Sequence, residues 1–215
     1  MSTDALARPG LISPRYRLYG WVLLLIVCTP GLPHLFWEFR HIGLWPPVPT
    51  WLMTCLFVLL ITFWSPDAFG LRSGNHRKVW WIYVLSALFW LAYVFLGRSL
   101  IPGELQEGLG SPDAYLVAPF REELLFRGFM YGVLVDMYPS SEASRKWISR
   151  PVLFTAILFG LWHLGWIGSI GWGWGLAQVG GTFLAGLVMG YVRRRSGSVL
   201  GPFIMHAVGN FIVGL

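Results

Sequence analysis

The sequence predicts an all-α fold, a polytopic transmembrane helical bundle of about seven membrane helices. Three observations carry this. Of 215 residues, 55% are hydrophobic and only 12% charged, with 13 Trp and a mean hydropathy of +0.59, a profile foreign to soluble domains. Several apolar stretches approach the roughly 20 residues that a bilayer-crossing helix needs. The cations between them alternate as the positive-inside rule requires.

The first stretch, Leu18 to Phe36, is interrupted by Pro30, Gly31 and Pro33, breaks that neighbouring helices tolerate when they re-satisfy the freed backbone. Arg15 and Arg17 precede it, but Val27, Cys28, Thr29 and Pro30 offer no A-x-A cleavage site, so it is expected to stay as a helix. Val48 to Trp64 and Val79 to Leu96 follow, then Tyr115 to Val135, Pro151 to Ile167, Leu176 to Val192 and Val199 to Leu215. The longest connections, Gly97 to Ala114 and Asp136 to Arg150, are rich in Gly, Pro, Ser and charge and read as loops or short interfacial helices. Gly165 to Gly175, with Trp166, Trp172 and Trp174, reads as an interfacial turn. Gly186 and Gly190 form a G-x-x-x-G that admits close approach of another helix, within the chain or in a dimer, so the oligomeric state stays open.

Every second connection carries three cations: Arg8, Arg15 and Arg17; Arg72, Arg77 and Lys78; Arg145, Lys146 and Arg150; Arg193, Arg194 and Arg195. Only Arg40 and Arg98 occupy the others, a division of 12 against 2 that puts the N-terminus in the cytoplasm and the C-terminus outside. The net charge of +6 is thereby accounted for by topology and by contact with the lipid bilayer. No interleaving of aromatic and basic residues points to nucleic acid. Cys28 and Cys55 lie in apolar stretches without metal-ligand spacing and read as core thiols.

Against this background three pairs spaced by four residues stand out: Glu123 with Arg127, beside Glu122; Phe159 with His163; and His206 with Asn210. A charge at the centre of a membrane helix costs roughly 2.5–3.5 kcal/mol even on the lowest scales, so such residues face a protein interior and mark a pathway, a ligand site or chemistry. Residues four apart share a helix face. Glu123 is thus expected to pair with Arg127, leaving Glu122 free. With the deduced orientation, Glu122, His163, His206 and Asn210 converge in the middle-to-outer part of the bilayer. A carboxylate with imidazoles can deprotonate water, and an amide can donate to a developing oxyanion. No G-x-S-x-G is present. Zinc competes for the same side chains, although H-E-x-x-H is missing. A proton-coupled transporter and a non-catalytic membrane partner are the other readings; paired broken helices, the pointer to a transporter site, are not visible.

The runs Glu122-Glu123-Leu124-Leu125-Phe126-Arg127, Phe159-Gly160-Leu161-Trp162-His163 and His206-Ala207-Val208-Gly209-Asn210 resemble the ordered motifs E-E-x-x-x-R, F-x-x-x-H and H-x-x-x-N/B. These are the signature of the CAAX protease and bacteriocin-processing family of glutamic intramembrane endopeptidases, which includes type II CAAX prenyl endopeptidases and lysostaphin-resistance-like proteins. The match runs from about Tyr115 to Asn210, dividing the chain into a core at 111–215 and membrane helices at 1–110 that carry no assignable motif. The resemblance implies that Glu122 activates water and His163 helps to orient it. It also implies that Glu123 and Arg127 hold the helix, that His206 and Asn210 stabilise the oxyanion, and that Phe159 shapes the cavity wall. It implies no cofactor and no metal, although the older view of the family made these enzymes zinc proteases. Eukaryotic members usually carry a further helix after the last motif, whereas five residues follow Asn210 here, so the lid on that side is expected to be missing or supplied otherwise. A site in the outer half of the bilayer argues against prenylated substrates, which are processed from the cytosol. The expectation is a bacterial plasma-membrane enzyme trimming a membrane-anchored protein or peptide.

Overall fold

The computed structural model describes residues 66–92, 94–95, 112–143 and 146–214. The first two expected spans, Cys28 and Cys55, and most of the connection from Gly97 to Ala114 lie outside the described residues. Among the described residues every regular element is helical. After a 3-10 turn at His76–Lys78 comes α1, Trp80–Ala92. A continuous rod, α2, occupies 113–137 and alternates π and α geometry: Asp113–Val117, Ala118–Glu123, Leu124–Met130 and Tyr131–Met137. Then follow the one-turn α3 (Pro139–Glu142), α4 (Arg150–Trp162), a 3-10 turn at His163–Trp166, α5 (Ile167–Ser196) and α6 (Leu200–Gly214).

Apolar side chains decide which way these helices face. In α1 only Ile82 is buried, while Trp80, Leu85, Leu88, Phe89 and Leu91 are all exposed. An outward surface so uniformly apolar would be unstable in water and belongs against lipid. From Gly171 to Ser196, α5 is long and apolar enough to cross a membrane, the one such helix among the described residues. The remaining apolar helices, α1, α4 and α6, are shorter.

The core forms between α2, α4 and α5, where Leu124, Phe126, Phe129, Met130, Phe159 and Met189 are buried together with Phe69 and Val199. Small residues set the spacing. A Cβ on Gly186 would lie 3.0 Å from Ala156 Cα, and one on Gly190 would lie 3.0 Å from Val152 Cγ1. The G-x-x-x-G is therefore used inside the chain, to seat α5 on α4. Three basic connections meet at one end of the bundle: Arg72 Nε donates to Gly197 O at 3.0 Å, Arg193 Nη2 to Ala68 O at 3.2 Å, and Arg194 Nη1 to Lys146 O.

Two boundaries differ from the sequence reading, both to the benefit of the site. The fifth expected span stops as an α-helix at Trp162, so His163 is the residue that closes it, and the chain tightens into the 3-10 turn that commonly finishes a helix. The expected interfacial turn over Gly165 to Gly175 is mostly helical, and only Gly171, at φ 80 and ψ 164, breaks it. That backbone conformation is open to a residue without Cβ, so the helix restarts there and carries Trp172 and Trp174 on its first turn.

Candidate active site

Glu122 and Glu123 close the α segment of α2, and Arg127 lies in the π turn that follows. All three are buried, Arg127 completely. Arg127 Nη1 donates to Glu123 Oε1 at 2.9 Å, and His206 Nδ1 on α6 bonds the same oxygen at 2.9 Å. A carboxylate oxygen accepts, so this contact puts the His206 proton on Nδ1. Its other nitrogen, Nε2, faces Glu122 Oε2 at 3.9 Å. Glu122 Oε1 has a looser contact, 3.5 Å, with Arg121 Nη2. The two adjacent acids thus differ sharply: Glu123 is held from two sides, and Glu122 has one distant cation and an imidazole just beyond bonding range.

His163 reaches back one turn, and its Nδ1 donates to Phe159 O at 2.8 Å. That backbone carbonyl is one of the last of α4, which no N–H within the helix can satisfy. The ring keeps a bare Nε2, the nitrogen available to a ligand. Phe159 is the common neighbour: its ring is 4.1 Å from Arg127 Cζ, 4.9 Å from the His163 ring centroid and 5.7 Å from that of His206. Arg127 therefore sits between a carboxylate and an aromatic face, the two partners that suit a desolvated guanidinium. Glu123 Oε2 and Arg127 Nε and Nη2 are buried without a protein partner among the described residues, capacity that a buried water would meet.

Six of the seven expected residues thus lie together: Glu122, Glu123, Arg127, Phe159, His163 and His206. Asn210, the seventh, also joins two helices. Its Nδ2 donates to Ala114 O at 2.9 Å, tying α6 to the first turn of α2. One of its two amide hydrogens is used there, and the other remains.

The depth of the cluster is sharper than expected. Arg127 Nη2 lies 3.2 Å from where a Gly186 Cβ would be, and a Gly160 Cβ would meet Val179 O at 3.0 Å. On a rise of about 1.5 Å per residue those two levels are about 15 and 26 Å from Ser196 along α5. The site thus lies against the middle of that helix.

One residue of the assembly was not legible. Arg193, read as part of a basic loop, is buried; its Nε donates to Arg127 O at 2.8 Å and its Cζ lies 5.0 Å from the Tyr131 ring centroid. A run of three arginines in sequence gives no signal of which one turns inward.

Both Nδ1 atoms are committed and Glu123 is held by Arg127, so Glu122 and the two Nε2 atoms are the donors left to a ligand. Among the described residues no three His, Cys, Asp or Glu side chains are grouped to hold a metal.

No curated protein and no solved structure matches the chain. Residues 109–212 match the model of a family described as type II CAAX prenyl endopeptidase Rce1-like, and that segment contains the whole cluster. Residues 109–212 thus form a domain of the CAAX protease and bacteriocin-processing family, a membrane-embedded family of proteases.

Proposed function

We propose that the chain is an intramembrane endopeptidase that cleaves a membrane-anchored protein or peptide with water activated by Glu122. The observation that carries this is the inequality of the two acids. Glu123 is held at Oε1 by both Arg127 and His206, whereas Glu122 faces His206 Nε2 across 3.9 Å. Two atoms 3.9 Å apart can both lie within bonding range, about 2.8 Å, of a single water. Glu122 takes a proton from this water as its oxygen attacks the scissile carbonyl carbon. The second Asn210 amide hydrogen binds the resulting oxyanion, joined by His206 Nε2 when the ring is in its doubly protonated form, and His163 Nε2 orients the water. Collapse breaks the C–N bond while Glu122 returns the proton to the leaving amine, so it ends as it began. The cation–π contact and the Glu123 bond keep Arg127 from competing for Glu122.

In this reading seven helices cross a bacterial plasma membrane, with the basic end of the bundle in the cytoplasm. A site near mid-depth could serve tails presented from either side, so farnesylated tails stay among the substrates to be tested. The test is cleavage by detergent-purified protein of two internally quenched peptide sets, one with a transmembrane anchor and one ending in a farnesylated CAAX tail. Glu122→Gln is expected to abolish turnover, and His206→Ala to reduce it at least tenfold. Unchanged cleavage by Glu122→Gln sinks the mechanism; loss of cleavage with a chelator, together with stoichiometric zinc, replaces it with a metal-dependent one. Proton-coupled flux in liposomes without cleavage would establish the transporter reading. A reporter fused after Leu215 should be active outside the cell.

A further inference from the structure

We infer that Arg193 is a positioning residue that fixes the rotational setting of the Glu122–Glu123 pair by holding a π turn open; its effect on turnover rests on the protease reading. Between Leu124 and Met130 the rod α2 is wound as a π-helix. In an α-helix the Tyr131 N–H would bond the carbonyl four residues back, Arg127 O. Here it reaches the Phe126 and Gly128 carbonyls instead. Arg127 O thereby lacks its α-helical donor, Tyr131 N–H, in the interior of a bundle where an unmet carbonyl is costly.

Arg193 supplies a donor in its place. Its Nε binds Arg127 O at 2.8 Å, its Nη2 binds Ala68 O at 3.2 Å, and its Cζ stands 5.0 Å from the Tyr131 ring centroid. The slot is shaped for it: Gly70 has φ +75, and a Cβ there would lie 2.5 Å from Arg193 Cζ. Three elements, the 66–70 turn, α2 and α5, are thereby fastened at one guanidinium.

A π turn holds an extra residue relative to an α-helix, and single π turns of this kind occur frequently at functional sites. If the turn relaxes, the segment above it rotates by up to about 100°, the angle of one helical residue. Glu122 and Glu123 lie immediately above the π turn; Tyr131, anchored by a 2.7 Å bond to Glu142 Oε1, lies immediately below. Loss of the Arg193 bond therefore turns the acids away from His206 without touching them.

The experiment reads rotation and turnover separately. In a background with Cys28→Ala and Cys55→Ala, the pair Phe120→Cys and Phe203→Cys replaces rings whose centroids are 5.7 Å apart on α2 and α6. A short bismethanethiosulfonate should join them efficiently. Arg193→Gln is expected to lower that yield at least threefold and kcat at least tenfold with KM within twofold. Arg193→Lys, which keeps one donor, should restore part of both. Gly70→Ala, which leaves Arg193 in place but displaces its guanidinium, should reproduce the loss. A Trp147→Cys and Tyr191→Cys pair, from rings 5.1 Å apart, should cross-link equally in all variants and reports intact folding should Arg193→Gln fold poorly. Unchanged yield and kcat in Gly70→Ala and Arg193→Gln, whatever their melting temperatures, overturn the inference. If the wild type cleaves neither peptide set, the protease reading fails and the cross-link alone decides.

Discussion

Arg127→Met measures what the buried ion pair contributes to the fold. The guanidinium is fully buried, 2.9 Å from Glu123 Oε1 and stacked at 4.1 Å on Phe159. Removing one member of such a pair costs about 3–5 kcal/mol, because the partner is left charged and uncompensated. His206 Nδ1 still reaches Glu123 Oε1 at 2.9 Å, so the low end applies, about 3 kcal/mol. At about 2–4 °C per kcal/mol for a chain of this size, Tm falls by about 6–12 °C. Glu123→Gln strands the arginine and should lose a comparable amount. The double variant removes both charges and is expected within about 1 kcal/mol of wild type, since neutral groups of similar volume replace buried pairs at little cost. The assay is thermal unfolding of all four proteins in one detergent, followed by circular dichroism. If the two single losses simply add in the double variant, the groups are not coupled and the reasoning is refuted.

Three further outcomes follow from the packing. Gly186→Val should abolish turnover and lower Tm more than Gly190→Ala, because its Cβ meets Ala156 backbone at 3.0 Å and Arg127 Nη2 at 3.2 Å, whereas Gly190 meets only a Val152 side chain that closely; equal effects would contradict this. Gly201→Ala drives a Cβ into the Tyr83 hydroxyl, so adding Tyr83→Phe should recover more than half of the lost Tm, and failure to do so would point elsewhere. Asn210→Ala should lower stability by about 1 kcal/mol, the worth of one hydrogen bond, and Asn210→Asp by more, since a carboxylate cannot donate to Ala114 O; a stable Asp variant by chemical denaturation would argue against the contact.

Helix type and most of the site were legible because both rest on local spacing. Glu123 and Arg127 are four apart on one rod, and so are Phe159 and His163, so sequence alone placed each pair on one face. Long-range partners left no such trace. That His206 chooses Glu123, that Asn210 chooses Ala114 O, and that Arg193 turns inward are set by how α2, α5 and α6 meet, with separations of 83, 96 and 66 residues. The π turn was hidden as well, since Leu124 to Met130 is compatible with an ordinary helix and differs only in which carbonyls are used. Gly165 to Gly175 misled because glycine density suggested a turn where a single left-handed residue, Gly171, suffices.

Phe159 supplies the site twice over, with a ring against Arg127 and a main-chain oxygen that holds His163. The two contributions answer to different parts of the residue. Exchanging the ring for Leu, Tyr or a fluorinated phenylalanine alters the electron density above the guanidinium, while the oxygen that sets the imidazole tautomer survives every exchange. The position thus offers a graded electrostatic dial on the cation, with the histidine geometry held constant by the backbone itself.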